Sequence, residues 1–173
     1  MLKTASVAIA YQLAWCATAY GAAHGMPSLG ISACLAVLAL AVWVADDRRS
    51  MALLIVALGG YGLGVETLLR ATGLVSYSSP GPIAGLAPAW IVVLWMAFGA
   101  LVPLTMSWLR GRLALAALFG ALLAPLSYVA AERFGALQIS TARGIGLIVI
   151  AVAWSVVVPV ALRLSARRAD RFR

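Results

Sequence analysis

Apolar residues run along this chain in long blocks, broken at short intervals by charge, proline or glycine. The blocks cover residues 5–23, 29–45, 51–73, 89–109, 113–131 and 144–164. A bilayer-spanning helix needs roughly 20 apolar residues, so each block reads as one membrane helix. The pattern predicts an all-α integral membrane bundle of about six transmembrane helices, in one domain covering residues 1–173. Residues 165–173 form a basic tail.

Polar residues inside the blocks then become informative. Glu66 falls within the third, in Gly59-Gly-Tyr-Gly-Leu-Gly-Val-Glu66-Thr-Leu-Leu-Arg70. An ionised side chain at mid-bilayer is disfavoured by about 2.5–3.5 kcal/mol on insertion scales, so it is expected to face protein or water. At helical spacing Gly59, Gly62, Leu63, Glu66 and Arg70 share one stripe, with Gly60 and Gly64 beside it. The Gly60-x-x-x-Gly64 spacing is one that packs helices closely in lipid. Two readings of Glu66 stand. It is a proton-handling or ligand-binding carboxylate in a pocket of the outer leaflet, or it pairs with Arg70 one turn on.

Counting along the helices places Tyr128, Trp95 and Trp15 near the depth of Glu66. Glu132 lies one turn above Tyr128, and Gln12 belongs to the first block. If these helices meet, Gln12, Trp15, Arg70, Trp95, Tyr128 and Glu132 form a ligand-binding group around Glu66, suited to a lipid or an apolar ligand with a polar head. In an enzyme Glu66 is the candidate acid or base. No nucleophile with a recognisable base accompanies it, so whether any reaction occurs stays open.

Composition agrees with the pattern: 64% of residues are hydrophobic and 10% charged, with a mean hydropathy of +1.03. That excludes an ordinary soluble globular chain. The net charge of +8 does not point to nucleic acid, because the basic residues mark alternate block ends. Lys3, Arg48, Arg49, Arg110, Arg112 and Arg163, with Arg167, Arg168, Arg171 and Arg173 of the tail, put both termini in the cytoplasm of a bacterial inner membrane. Arg133 and Arg143 are the exceptions to this positive-inside distribution. One histidine and two cysteines leave no set of metal ligands, and neither a metal nor a cofactor is expected. Cys16 and Cys34 read as small packing residues, and His24 as an interfacial one. The first block resembles a secretory signal, yet Gln12, Trp15 and Tyr20 favour a permanent span. The uncharged stretch from Ser76 to Pro88 reads as a linker or a lid.

Gln12-x-x-Trp15, Gly62-x-x-x-Glu66, Ala87-Pro-Ala-Trp90, Leu94-Trp95-x-x-Phe98, Trp108, Gly120 and Pro125-Leu-Ser-Tyr128 together resemble a family of small bacterial inner-membrane proteins known only as a domain of unknown function. The resemblance implies a role linked to membrane lipid or fatty acid metabolism, since the family's genes often lie near those for unusual fatty acids. It supplies no activity and no catalytic residues. In that family an acid, often Asp, is expected at the position of Glu66. The partners expected are membrane lipids and, in the alternative, a partner helix or a second copy of the chain, the protein then being a non-catalytic subunit or a small transporter.

Overall fold

The computed structural model describes the backbone of residues 2–169 and the side chains of residues 5–166. Lys3, Arg167, Arg168, Arg171 and Arg173 of the charge pattern lie outside the described side chains. Six helices follow in order: α1 (Leu2–Ala23), α2 (Pro27–Val44), α3 (Arg48–Ala71), α4 (Ala89–Thr105), α5 (Leu113–Arg133) and α6 (Arg143–Ala169). Four of them, α2, α3, α5 and α6, are long and apolar enough to cross a membrane. Helix α1 is 22 residues long, but Tyr11, Gln12, Trp15, Thr18 and Tyr20 dilute its apolar character. Helix α4 has 17 residues, shortened where Pro103 in its last turn weakens the ladder, and a 3-10 turn follows at Ser107–Leu109.

The helix limits have local causes. Asp47 caps α3, its carboxylate accepting from the Ser50 backbone N–H at 3.0 Å, which satisfies one of the free donors of the first turn. Pro27 opens α2, where its missing N–H costs nothing. Gly73 and Gly135, at φ +68° and +84°, let the chain leave α3 and α5 in the left-handed region that glycine adopts freely.

Helices consecutive in the chain run antiparallel. α3 packs along α4, α5 along α6 and α1 along α2, and α4 also packs against both α1 and α2. The connections after α3 and α5 meet at one end of the bundle and pair there as a two-stranded antiparallel ribbon. β1 (Val75–Tyr77) aligns with β2 (Leu137–Ile139), Val75 opposite Ile139 and Tyr77 opposite Leu137. Val75, Tyr77, Leu137 and Ile139 turn inward, while Ser76 and Gln138 face out. The turn between α1 and α2 belongs to the same end, because the Ser79 hydroxyl donates to Ala22 O at 2.8 Å.

Close helix approach follows glycines, though not all those of the sequence pattern. A Cβ at Gly62 would lie 2.2 Å from Cγ of Trp95, one at Gly59 2.6 Å from Cγ of Met96, and one at Gly120 2.3 Å from Trp154 O. Gly60 and Gly64 face nothing within 4 Å. The contact stripe on α3 is therefore Gly59 and Gly62, and the Gly60-x-x-x-Gly64 face, expected to pack, is not the face that meets α4.

Candidate functional site: a buried carboxyl behind a lateral cavity

Glu66 sits in the last two turns of α3 and is fully buried. Trp95 of α4 donates its indole N–H to Oε1 at 2.7 Å, and the Tyr128 hydroxyl of α5 donates to the same oxygen. The Tyr77 hydroxyl, from β1, donates to Oε2. Three neutral donors from three elements thus enclose one carboxyl group. Such a shell stabilises a buried acid by hydrogen bonding instead of by a neighbouring cation. Burial, together with the Glu66 carboxylate beside it, keeps the Tyr77 phenol far above its ordinary pKa. It remains a donor at physiological pH.

The pairing with Arg70 weighed from the sequence does not form. The Arg70 guanidinium instead donates to the carbonyls of Pro80, at 3.0 Å, and Leu86, and so holds the long connection between β1 and α4. The Thr67 hydroxyl accepts from Ala87 N at 3.1 Å, and the Trp90 indole donates to Ser79 O at 2.9 Å. The stretch from Ser76 to Pro88 is thereby fastened over the end of the bundle. Glu132 also stands apart from Glu66. Its carboxylate pairs with Arg143 at 2.6 Å and accepts from Ile139 N at 2.8 Å, tying the end of α5 to β2 and to the start of α6.

Beside the carboxyl lies a cavity of about 550 Å³, within the range of small-molecule sites. Gln12 and Trp15 of α1, Trp95 of α4 and Tyr128 of α5 all line it, and Trp154 of α6 closes its back. Glu66 does not line it; it sits behind Trp95 and Tyr128 and orients both. An aromatic group forms the inner wall. Trp95 stacks on Trp154 with ring centroids 4.1 Å apart, and Phe98 meets Trp154 at 4.8 Å and Tyr11 at 6.3 Å.

The cavity opens sideways. α1 and α5 flank it without packing along each other, and Gln12, Leu123, Leu126 and Ser127, all exposed, stand at the gap. Toward the ribbon the gap narrows, where Trp15 meets Phe134 at 5.9 Å. Of the residues singled out from the sequence, Gln12, Trp15, Trp95 and Tyr128 converge on this cavity, Glu66 buttresses it, and Arg70 and Glu132 belong to the capping layer. Tyr77 and Trp154 were not among them. Tyr77 lies in a connection that the pattern reads as linker or lid, and Trp154 looks like any aromatic in an apolar helix. Among the described residues, no three His, Cys, Asp or Glu side chains gather as metal ligands.

A bundle with four membrane-length helices, a lateral cavity and a capped end defines a helical membrane protein. The chain belongs to the family DUF2878, described as a protein of unknown function, whose model matches residues 4–160. No curated protein and no solved structure matches the chain.

Proposed function

We propose that this protein spans the bacterial inner membrane six times, with both termini in the cytoplasm, and takes a membrane lipid into the cavity between α1 and α5. α1 and α4 join the four membrane-length helices because the connections alternate between the two ends of the bundle. The ribbon end carries the uncharged connection 76–88, whereas Arg48, Arg49, Arg110 and Arg112 lie at the other end, as the positive-inside rule asks.

The observation that carries the lipid reading is the cavity itself: a space of about 550 Å³ walled by apolar and aromatic side chains, with its mouth on the flank of the bundle. A water-soluble ligand has no reason to enter from the side of a membrane helix pair, whereas an acyl chain reaches that mouth directly. Glu66 serves as a positioning residue, fixing the Trp95 indole and the Tyr128 hydroxyl at the cavity wall. Any proton transfer between Glu66 and a bound lipid would pass through Tyr128, since of the two side chains that touch both the cavity and the carboxyl its hydroxyl can donate and accept, whereas the Trp95 indole can only donate. The role in the cell is in membrane lipid or fatty acid metabolism.

The test is lipid mass spectrometry of cells lacking the gene, complemented by wild type, Leu123→Trp, Glu66→Gln or Glu66→Ala. The reading expects one lipid class to change on deletion and to be restored by wild type but not by Leu123→Trp, which fills the mouth. A glutamine retains an oxygen for Trp95 and Tyr128, so Glu66→Gln restores the lipids if Glu66 only positions, and Glu66→Ala does not. Unchanged lipids on deletion would overturn the metabolic role.

A further inference from the structure

Trp154 presents an unmet demand. Its indole nitrogen is buried and makes no hydrogen bond of full geometry; the Tyr128 hydroxyl beside it is near enough to accept only a weak one. An indole N–H can only donate, and leaving such a donor unpaired in a buried site costs about 1–3 kcal/mol. The ring is not free to turn away: it is stacked on Trp95, edged by Phe98, and packed where α5 crosses α6 at Gly120. It lines the cavity. A second polar group stands at the mouth, where the exposed Gln12 amide makes no hydrogen bond to the protein. In hydrocarbon an unpartnered amide is expensive.

The charge of the site restricts what meets these groups. No Lys, Arg or His side chain lines the cavity, so an anionic head would enter a low-dielectric space without a counter-charge. Nor does Glu66 offer itself to a cationic head, because Trp95, Tyr128 and Tyr77 already occupy its two oxygens.

We propose that the ligand is an uncharged lipid whose ester, carbonyl or hydroxyl oxygen accepts the Trp154 indole N–H, with Gln12 bonding the polar head at the mouth, and that the cavity discriminates against anionic lipids. This deepens the lipid-cavity reading and rests on it. The headgroup oxygen supplies the missing acceptor, the apolar wall takes the chain, and the absence of basic residues sets the selectivity.

The experiment is a scintillation-proximity binding assay on the purified full chain in detergent, with tritiated 1-monooleoylglycerol as probe. Unlabelled 1-monooleoylglycerol and oleoyl-lysophosphatidylglycerol compete. The uncharged lipid is expected to bind saturably and to compete at least tenfold better than the anionic one. Trp154→Phe, which keeps most of the ring stacking, should weaken binding about five- to tenfold with an unchanged thermal midpoint, the loss of one hydrogen bond. Gln12→Leu should weaken it in the same direction. Equal or better competition by the lysophosphatidylglycerol, or wild-type binding by Trp154→Phe, overturns the proposal while leaving a lipid cavity in place. Absence of saturable binding overturns it too, and lipid retention by the purified protein then decides separately whether the cavity holds any lipid.

Discussion

The Tyr77 hydroxyl, carried by a strand outside the helical bundle, donates a hydrogen bond to the Glu66 carboxyl buried within it. One side chain thus couples the ribbon formed by β1 and β2 to the wall of the cavity. Removing the hydroxyl leaves a buried acid with two donors where it had three, at a cost of about 1–3 kcal/mol. Tyr77→Phe should therefore lower the thermal midpoint of the purified protein by several degrees, and pairing it with Glu66→Gln should give a non-additive loss. Additive losses in that double-mutant cycle would show that the two side chains do not interact.

The two glycine faces of α3 are expected to respond in opposite ways. Gly62→Ala drives a methyl group into the Trp95 ring, and that ring is held by Glu66 on one side and Trp154 on the other. Overpacking of this kind costs about 1–3 kcal/mol. Gly64→Ala meets open space and should be neutral or stabilising by about 0.5–1 kcal/mol, from the better helix propensity of alanine. Thermal unfolding of the two variants side by side checks the pair.

Arg70 acts on the connection between β1 and α4 and not on Glu66. Arg70→Ala should speed proteolysis and amide exchange within residues 78–88, whose carbonyls it holds, and leave lipid binding in the cavity near that of wild type. A binding defect as large as that of Glu66→Ala would instead show that Arg70 does act on the carboxyl.

The proposed six spans with cytoplasmic termini would give a simple labelling pattern. In a background with Cys16 and Cys34 replaced, single cysteines at Ile83 and Thr141 should react with a membrane-impermeant maleimide in intact spheroplasts. A cysteine at Arg112 should react only after permeabilisation. Labelling at Arg112 in intact spheroplasts would contradict the orientation.

Much of the helical architecture was legible because lipid demands long apolar helices and punishes charge within them. The six helices lie close to the six apolar blocks, with α4 ending four residues early at Thr105, where Pro103 weakens the last turn. Depth counting also brought Trp95 and Tyr128 to the level of Glu66, since rise per residue is fixed in a helix. What periodicity cannot supply is the direction in which a long side chain settles. Spacing put Arg70 within reach of Glu66, yet the guanidinium found the carbonyls of Pro80 and Leu86. Gly60 and Gly64 had the spacing of a packing motif, but the neighbouring helix lay on the other side, against Gly59 and Gly62. The ribbon was beyond reach for another reason. It joins Val75 to Ile139 across two helices, and three-residue strands leave almost no periodic trace. Tyr77 becomes visible as a partner of Glu66 only once that ribbon is in place.

The central claim is that the lateral cavity holds a lipid drawn from the membrane, and native mass spectrometry of the purified protein tests it most directly. Wild type, released from detergent in the gas phase, is expected to retain one lipid molecule per chain, and Leu123→Trp, with the mouth filled, to retain none. Wild type free of lipid, or equal retention by the two proteins, would contradict the account.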